Sequence, residues 1–243
     1  ELAVEKDWWV TIVLKALFAT SFAPYLLFKG GTSLSKGWKN IQLSRFSEDI
    51  DIALSRSWFT RAEIQEQYPF AVCENNNQIK FLRKASRKVV FEQLSRELEL
   101  QMTSLGIQDF TIKNVTTEET PQGTVDIATD RDPVVINVEY KSILEETNEY
   151  ISTKVKIEIS WLSMDEPFEI RPITSLVYDK FDRVDEDSCC QIPTILPMRT
   201  FLEKAFLLNE EYQKKFPRTE RMSRHLYDLE KLMDEYAEDA LSN

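Results

Sequence analysis

Between Gly106 and Ile173 the chain abandons helical spacing and repeats every two residues. This switch constrains the fold more than any other feature of the sequence. FTIKNV, GTVDIA, PVVINVEYKSI, STKVKIEIS and FEIRPI are short β-rich runs separated by polar, Pro or Gly breaks. On both sides of them the helical period returns. Val4–Ala19 predicts a helix with Val4, Trp8, Ile12 and Leu17 on its apolar side, and Ile79–Leu105 predicts a longer one. RTFLEKAFLLNEEYQKKF and RTERMSRHLYDLEKLMDEYAEDAL predict helices after Met198. Helices, then strands, then helices give an α+β body over residues 1–185 and a helical C-terminal region over 186–243. The acid- and amide-rich stretch Asp182–Pro193 reads as a linker or loop between them.

At 243 residues, with 42% hydrophobic content, the chain is long enough for a sizeable core. No apolar run approaches the roughly 20 residues of a membrane span. Glu5, Lys6 and Asp7 precede the first apolar run, so the opening does not read as a secretory signal. Cys73 and the adjacent Cys189 and Cys190 suit neither a disulfide framework nor a zinc cluster and read as free thiols in a reducing cytoplasm. One histidine, His225, excludes chemistry that needs several imidazoles. A net charge of −11 argues against a surface coated with basic residues for nucleic acid, leaving room only for a local basic groove.

The chain has five glycines, and Gly30, Gly31 and Gly37 fall within one short segment, FKGGTSLSKGW. Gly30-Gly31-Thr32 breaks the chain ahead of a short helix, Ser33–Trp38. A Gly-Gly turn lets backbone approach a phosphate, and a helix N-terminus offers it unsatisfied N–H groups. Thr32 and Ser33 add hydroxyls; Lys29, Lys36 and Arg45 add positive charge. Counted from Gly31, Asp49 follows 18 positions later in SEDIDIAL, a strand by its alternation. Asp49 and Asp51 therefore share one face, about 6.5–7 Å apart along the backbone. Two such carboxylates suit Mg²⁺ bridging a triphosphate. An isolated Asp-x-Asp would read as an ordinary solvent-facing strand edge; the Gly-Gly turn ahead of it argues for a site.

A third carboxylate would help hold the metal. In STKVKIEIS, Glu158 leaves the polar face of a strand whose other face is apolar; a Lys156–Glu158 surface pair is the alternative, and spacing does not choose between them. Near the end, Arg221, Arg224 and Asp228 fall on one helical stripe, away from Leu226, Leu229, Leu232 and Met233; an exposed Arg224–Asp228 i,i+4 pair is the alternative to a functional role. Lys204 sits among Phe201, Leu202, Ala205 and Phe206, with its stem placed for burial.

FKGGTSLSK followed by RFSEDIDIAL resembles the AbiEii/AbiGii toxin family of nucleotidyltransferase-like proteins. EKDWWVT, VKIEI, RTFLEKAFLLNEE and RMSRHLYDL extend the likeness, in family order, over nearly the whole chain. The resemblance implies a polymerase-β-like nucleotidyltransferase core, a small mixed sheet flanked by helices, with the C-terminal helices completing the cleft. It implies Asp49, Asp51 and Glu158 as catalytic metal ligands, Lys204 and Asp228 as functional residues on the C-terminal helices, and Arg224 beside the nucleotide. Mg²⁺ (or Mn²⁺) and an NTP are the expected cofactor and co-substrate. The expected activity is a toxin's transfer of NMP to RNA, with tRNA preferred, and a cognate antitoxin is the expected partner. Arg83, Lys84, Arg87 and Lys88, or Arg171, Lys180 and Arg183, are candidates for an RNA channel. A small-molecule nucleotidyltransferase of the antibiotic-modifying kind, or a non-catalytic binding module, is the alternative.

Overall fold

The computed structural model describes residues 1–41, 43, 46–61, 75–144, 151–161, 167–181, 184–219 and 222–242. Helix α1 (Leu2–Leu17) opens the chain; strand β1 (Leu26–Lys29) runs directly into α2 (Gly30–Gly37), and β2 (Ile50–Leu54) follows. The expected long helix is α3 (Asn76–Val89) and α4 (Ser95–Ser104), joined by a π-helical turn at Val90–Leu94. It starts where the Asn75 side chain accepts from the backbone N–H groups of Asn77 and Gln78, both at 3.1 Å. The period-two stretch forms β3 (Phe110–Asn114), β4 (Thr117–Thr120), β5 (Gly123–Asp126), β6 (Val134–Tyr140), β7 (Lys154–Ser160) and β8 (Phe168–Thr174). Then come α5 (Leu176–Phe181), β9 (Cys189–Ile195), α6 (Pro197–Tyr212) and α7 (Ser223–Ser242).

Among the described residues seven strands form one mixed sheet in the order β3-β6-β7-β2-β1-β9-β8, while β4 and β5 pair separately. β2 runs through the middle, antiparallel to β1 and parallel to β7. On one face Ile50 and Ile52 of β2 and Val155, Ile157 and Ile159 of β7 are fully buried, packed with Trp9, Val10 and Val13 of α1 and Leu94, Leu98 and Met102. The alternation therefore leaves Asp51, Lys156 and Glu158 on the other face.

Two expectations need correcting. Helix α1 is not a one-sided surface helix: Val4 is 40% exposed, whereas Leu2, Trp9, Val10, Val13, Leu14 and Ala16 are buried. It lies among the sheet, α4 and α5 and is covered on several sides, so a single apolar stripe misdescribes it. The expected linker over Asp182–Pro193 holds most of β9, which pairs antiparallel with β8 along its length and parallel with β1 at Phe28 and Thr194. The sheet thus continues past residue 185.

The polar side of α1 is buried too. Lys36 of α2 donates to Asp7 Oδ1 at 2.6 Å, to Thr11 Oγ1 at 2.9 Å and to the Thr174 carbonyl at 3.2 Å. Assigned to a nucleotide from sequence, Lys36 instead pins α2 to α1 and β8. Burial holds its pKa below the usual lysine value, against the opposing pull of Asp7. Asp7→Ala strands that ammonium, and we expect it to cost about 3–5 kcal/mol. Urea denaturation of Asp7→Ala checks this, with Asp7→Leu/Lys36→Met expected to recover much of the loss.

Candidate active site

Strand register builds the site. Asp51 stands directly across from Lys29 on β1 and from Glu158 on β7. Asp49 is the second residue before it, so both acids and Glu158 border one cleft of about 630 Å³. Gly30 and Gly31, at the start of α2, form its floor beside them. Gly30 has φ +77°, and a Cβ built there would stand 2.0 Å from Asp51 Oδ2. The glycine is needed both for its left-handed backbone and for the close approach of the acid.

Thr32 and Ser33 lie deeper than their assigned role requires. Thr32 is 1% exposed; its hydroxyl bonds the Asp49 carbonyl and the Ser47 hydroxyl, fixing the acid's backbone to α2. Ser33 donates back to the Gly30 carbonyl at 2.8 Å. Both hydroxyls are thus committed to shaping the turn, and what the first turn of α2 offers a phosphate is backbone N–H. Lys6 of α1 ties the segment just before Asp49 to the start of β7, donating to the carbonyls of Ser152 and Lys154 and lying 3.3 Å from Glu48.

Burial pushes the Asp51 carboxyl up to about 7, reinforced by the negative charge of Glu158, a hydrogen bond to it and the charge of Asp49, with Lys29 pulling the other way. Glu158 is in turn ion-paired with Lys156. Among the described residues no three His, Cys, Asp or Glu side chains already converge as a metal cage. The donor set nonetheless fits a hard cation: carboxylate oxygens alone, crowded enough that Asp51 and Glu158 share a hydrogen bond. Added positive charge is what such a cluster favours.

Helices α6 and α7 supply the facing wall. Lys204 of α6 is 7% exposed and its ammonium lies 3.0 Å from Asp228 Oδ2 of α7, which is fully buried. Glu203, one residue earlier, holds Lys29 at 3.1 Å, linking this wall to β1. Leu34 of α2 and Trp38, just after that helix, pack with Leu232 of α7 and with Phe201, which sets the wall's distance from the glycine turn. Asp228→Ala leaves Lys204 buried without its carboxylate, and the expected cost is about 3–5 kcal/mol. Thermal denaturation beside an Asp228→Asn variant checks it, the amide being expected to retain part of the stability.

The cleft gathers Lys29, Gly30, Gly31, Asp49, Asp51, Glu158, Lys204 and Arg224. Lys36 lies away from it, and Arg45 and Arg221 lie outside the described residues. Glu158 stands across from Asp51 in the strand register and also pairs with Lys156. Sequence reasoning missed Thr200, Glu203, Arg218 and His225, which also line the cleft. Thr200 lies one helical turn before Lys204 on α6, so that stripe carried its signal; Glu203, adjacent to Lys204, and Arg218, which precedes α7, have no such cue.

An acid-bearing central strand, a third acid on its parallel neighbour and a glycine turn opening a helix beside them are the arrangement of a nucleotidyltransferase. The chain matches the family described as nucleotidyl transferase AbiEii toxin, type IV TA system, over residues 12–242, and it belongs to that family. Membership carries with it an NTP substrate and an antitoxin partner. No curated protein and no solved structure matches the chain. Among the described residues no helix is long and apolar enough to cross a membrane.

Proposed function

We propose that this protein transfers a nucleoside monophosphate from an NTP to the terminal hydroxyl of an RNA, with tRNA the favoured acceptor, as a cytoplasmic toxin. The observation that carries the reading is the register placing Asp51 between Lys29 and Glu158, at the foot of a cleft walled by Lys204, Arg218 and Arg224. The acceptor oxygen bonds to the α-phosphorus, the bond from that phosphorus to the β-bridging oxygen breaks, and pyrophosphate leaves with the electron pair. Mg²⁺ or Mn²⁺ held by Asp49, Asp51 and Glu158 would offset phosphate charge and ease loss of the acceptor's proton. Glu158, across from Asp51 in the register and bordering the same cleft, would accept that proton. The N–H groups at the start of α2 receive the β- and γ-phosphates, and Lys29 and Lys204 neutralise them. Arg224 reaches the cleft from α7 and borders the bound nucleotide.

Incubation with Mg²⁺, total tRNA and each α-³²P-labelled NTP in turn tests this. Label on tRNA with the native protein, and none with Asp49→Ala/Asp51→Ala, is expected. Absence of label from native protein that still binds NTP overturns the RNA acceptor.

A further inference from the structure

The cleft does not end at Glu158. A second cavity of about 360 Å³ begins there, sharing Pro133, Lys156 and Glu158 with the first. It runs across the polar face of β6 and β7 towards α3 and the β4–β5 ribbon. Its lining carries Arg87, Arg131, Lys154 and Lys156 against two carboxylates, Glu118 and Glu158. In a chain of net charge −11, this local excess of cations adjoins the three acids.

We propose that this groove holds the single-stranded end of the RNA acceptor and delivers its terminal hydroxyl to Glu158. The proposal rests on the nucleotidyl-transfer reading of the main cleft. The nucleotide's charge is met on the α2, α6 and α7 side, so the acceptor must approach the acids from elsewhere, and the groove is an opening that meets them at Glu158. Phosphates would run past Lys154, which is exposed, and Arg131, whose guanidinium is oriented by Glu118 at 3.0 Å. Deeper in, Arg87 lies over the Phe91 ring at 5.1 Å while donating to the carbonyls of Ile127 and Ala128. A guanidinium and ring held together this way form a platform on which a base of any identity stacks. Among the described residues of the two basic runs in the sequence, Arg87 alone lines this groove; Lys88 pairs with Glu92 on the exposed side of α3.

The test compares Lys154→Ala/Arg131→Ala with a charge-matched control, Lys88→Ala/Lys180→Ala, measuring tRNA affinity by fluorescence anisotropy across a salt series. Both variants remove two positive charges, so an effect of overall field alone moves them equally. The proposal expects the groove variant alone to lose about tenfold or more in affinity. Its log affinity–log salt slope is expected to shallow by about 1.4, two single-strand phosphate contacts. NTP affinity should be unchanged in both, and Lys154→Arg, which keeps the charge, should retain native tRNA affinity. Equal behaviour of the two double variants overturns the groove while leaving transfer to RNA standing. Native protein that binds no tRNA at any salt, yet binds NTP, overturns the RNA reading itself and the groove with it. Lys154→Gln, which leaves the Arg131–Glu118 pair intact, is expected to give half the slope change if the double variant is unstable.

Discussion

Asp51→Asn is expected to lower nucleotidyl transfer by well over 100-fold. Loss of a group that only supports a metal ligand costs about 10–100-fold, and Asp51 is proposed as a ligand itself. The substitution keeps the side chain's size and its capacity to bond Glu158, so the loss should not come from unfolding. It should leave the protein at least as stable as before, because it removes one of two carboxylates that face each other across β2 and β7. Single-turnover transfer assays and denaturant melts on the same preparation check both halves. A variant that transfers normally would remove Asp51 from the chemistry altogether.

Gly30→Ala is expected to be nearly as damaging, although it touches no charge. A left-handed backbone at an alanine costs about 1–2 kcal/mol. The larger effect is steric, since the new methyl would sit 2.0 Å from Asp51 Oδ2 and 2.7 Å from Cγ. Either the carboxylate turns away from Glu158 or the start of α2 moves, and each misaligns the acids from the phosphate-facing N–H groups. We expect transfer to fall by about 100-fold or more, since a displacement near 1 Å can cost that much. By contrast Gly106, also at φ +77°, has nothing within 4 Å of a built Cβ, so Gly106→Ala should show the backbone penalty alone. Assaying the two variants side by side separates strain from collision.

How much of this could be read in advance depended on whether a feature was local. The Gly-Gly turn, the Asp-x-Asp strand and the alternation that exposes Glu158 are written in short windows, and the sheet keeps them together. Which acid stood opposite Asp51 was a matter of register between strands about a hundred residues apart, and spacing could not supply it. Lys36 shows the converse error: a lysine next to a phosphate-like turn looked available, but its stem points towards α1, where Asp7 and Thr11 wait. The face of α1 was misjudged because a helix packed on several sides has no single stripe to find. β9 was hidden by Asp185, Glu186 and Asp187 before it and by Pro193 within it, a residue that argues against a central strand. The ladder tolerates it because pairing with β1 is confined to Phe28 and Thr194.

The order in which the ribosome releases these parts has a consequence for a toxin. The acids and the glycine turn emerge early, but β9, which flanks β1, and the helices carrying Lys204 and Asp228 come last. A nascent or prematurely terminated chain therefore holds the acids without the facing wall formed by α6 and α7. On the proposed reading, transfer therefore has to wait until the last helices have left the ribosome.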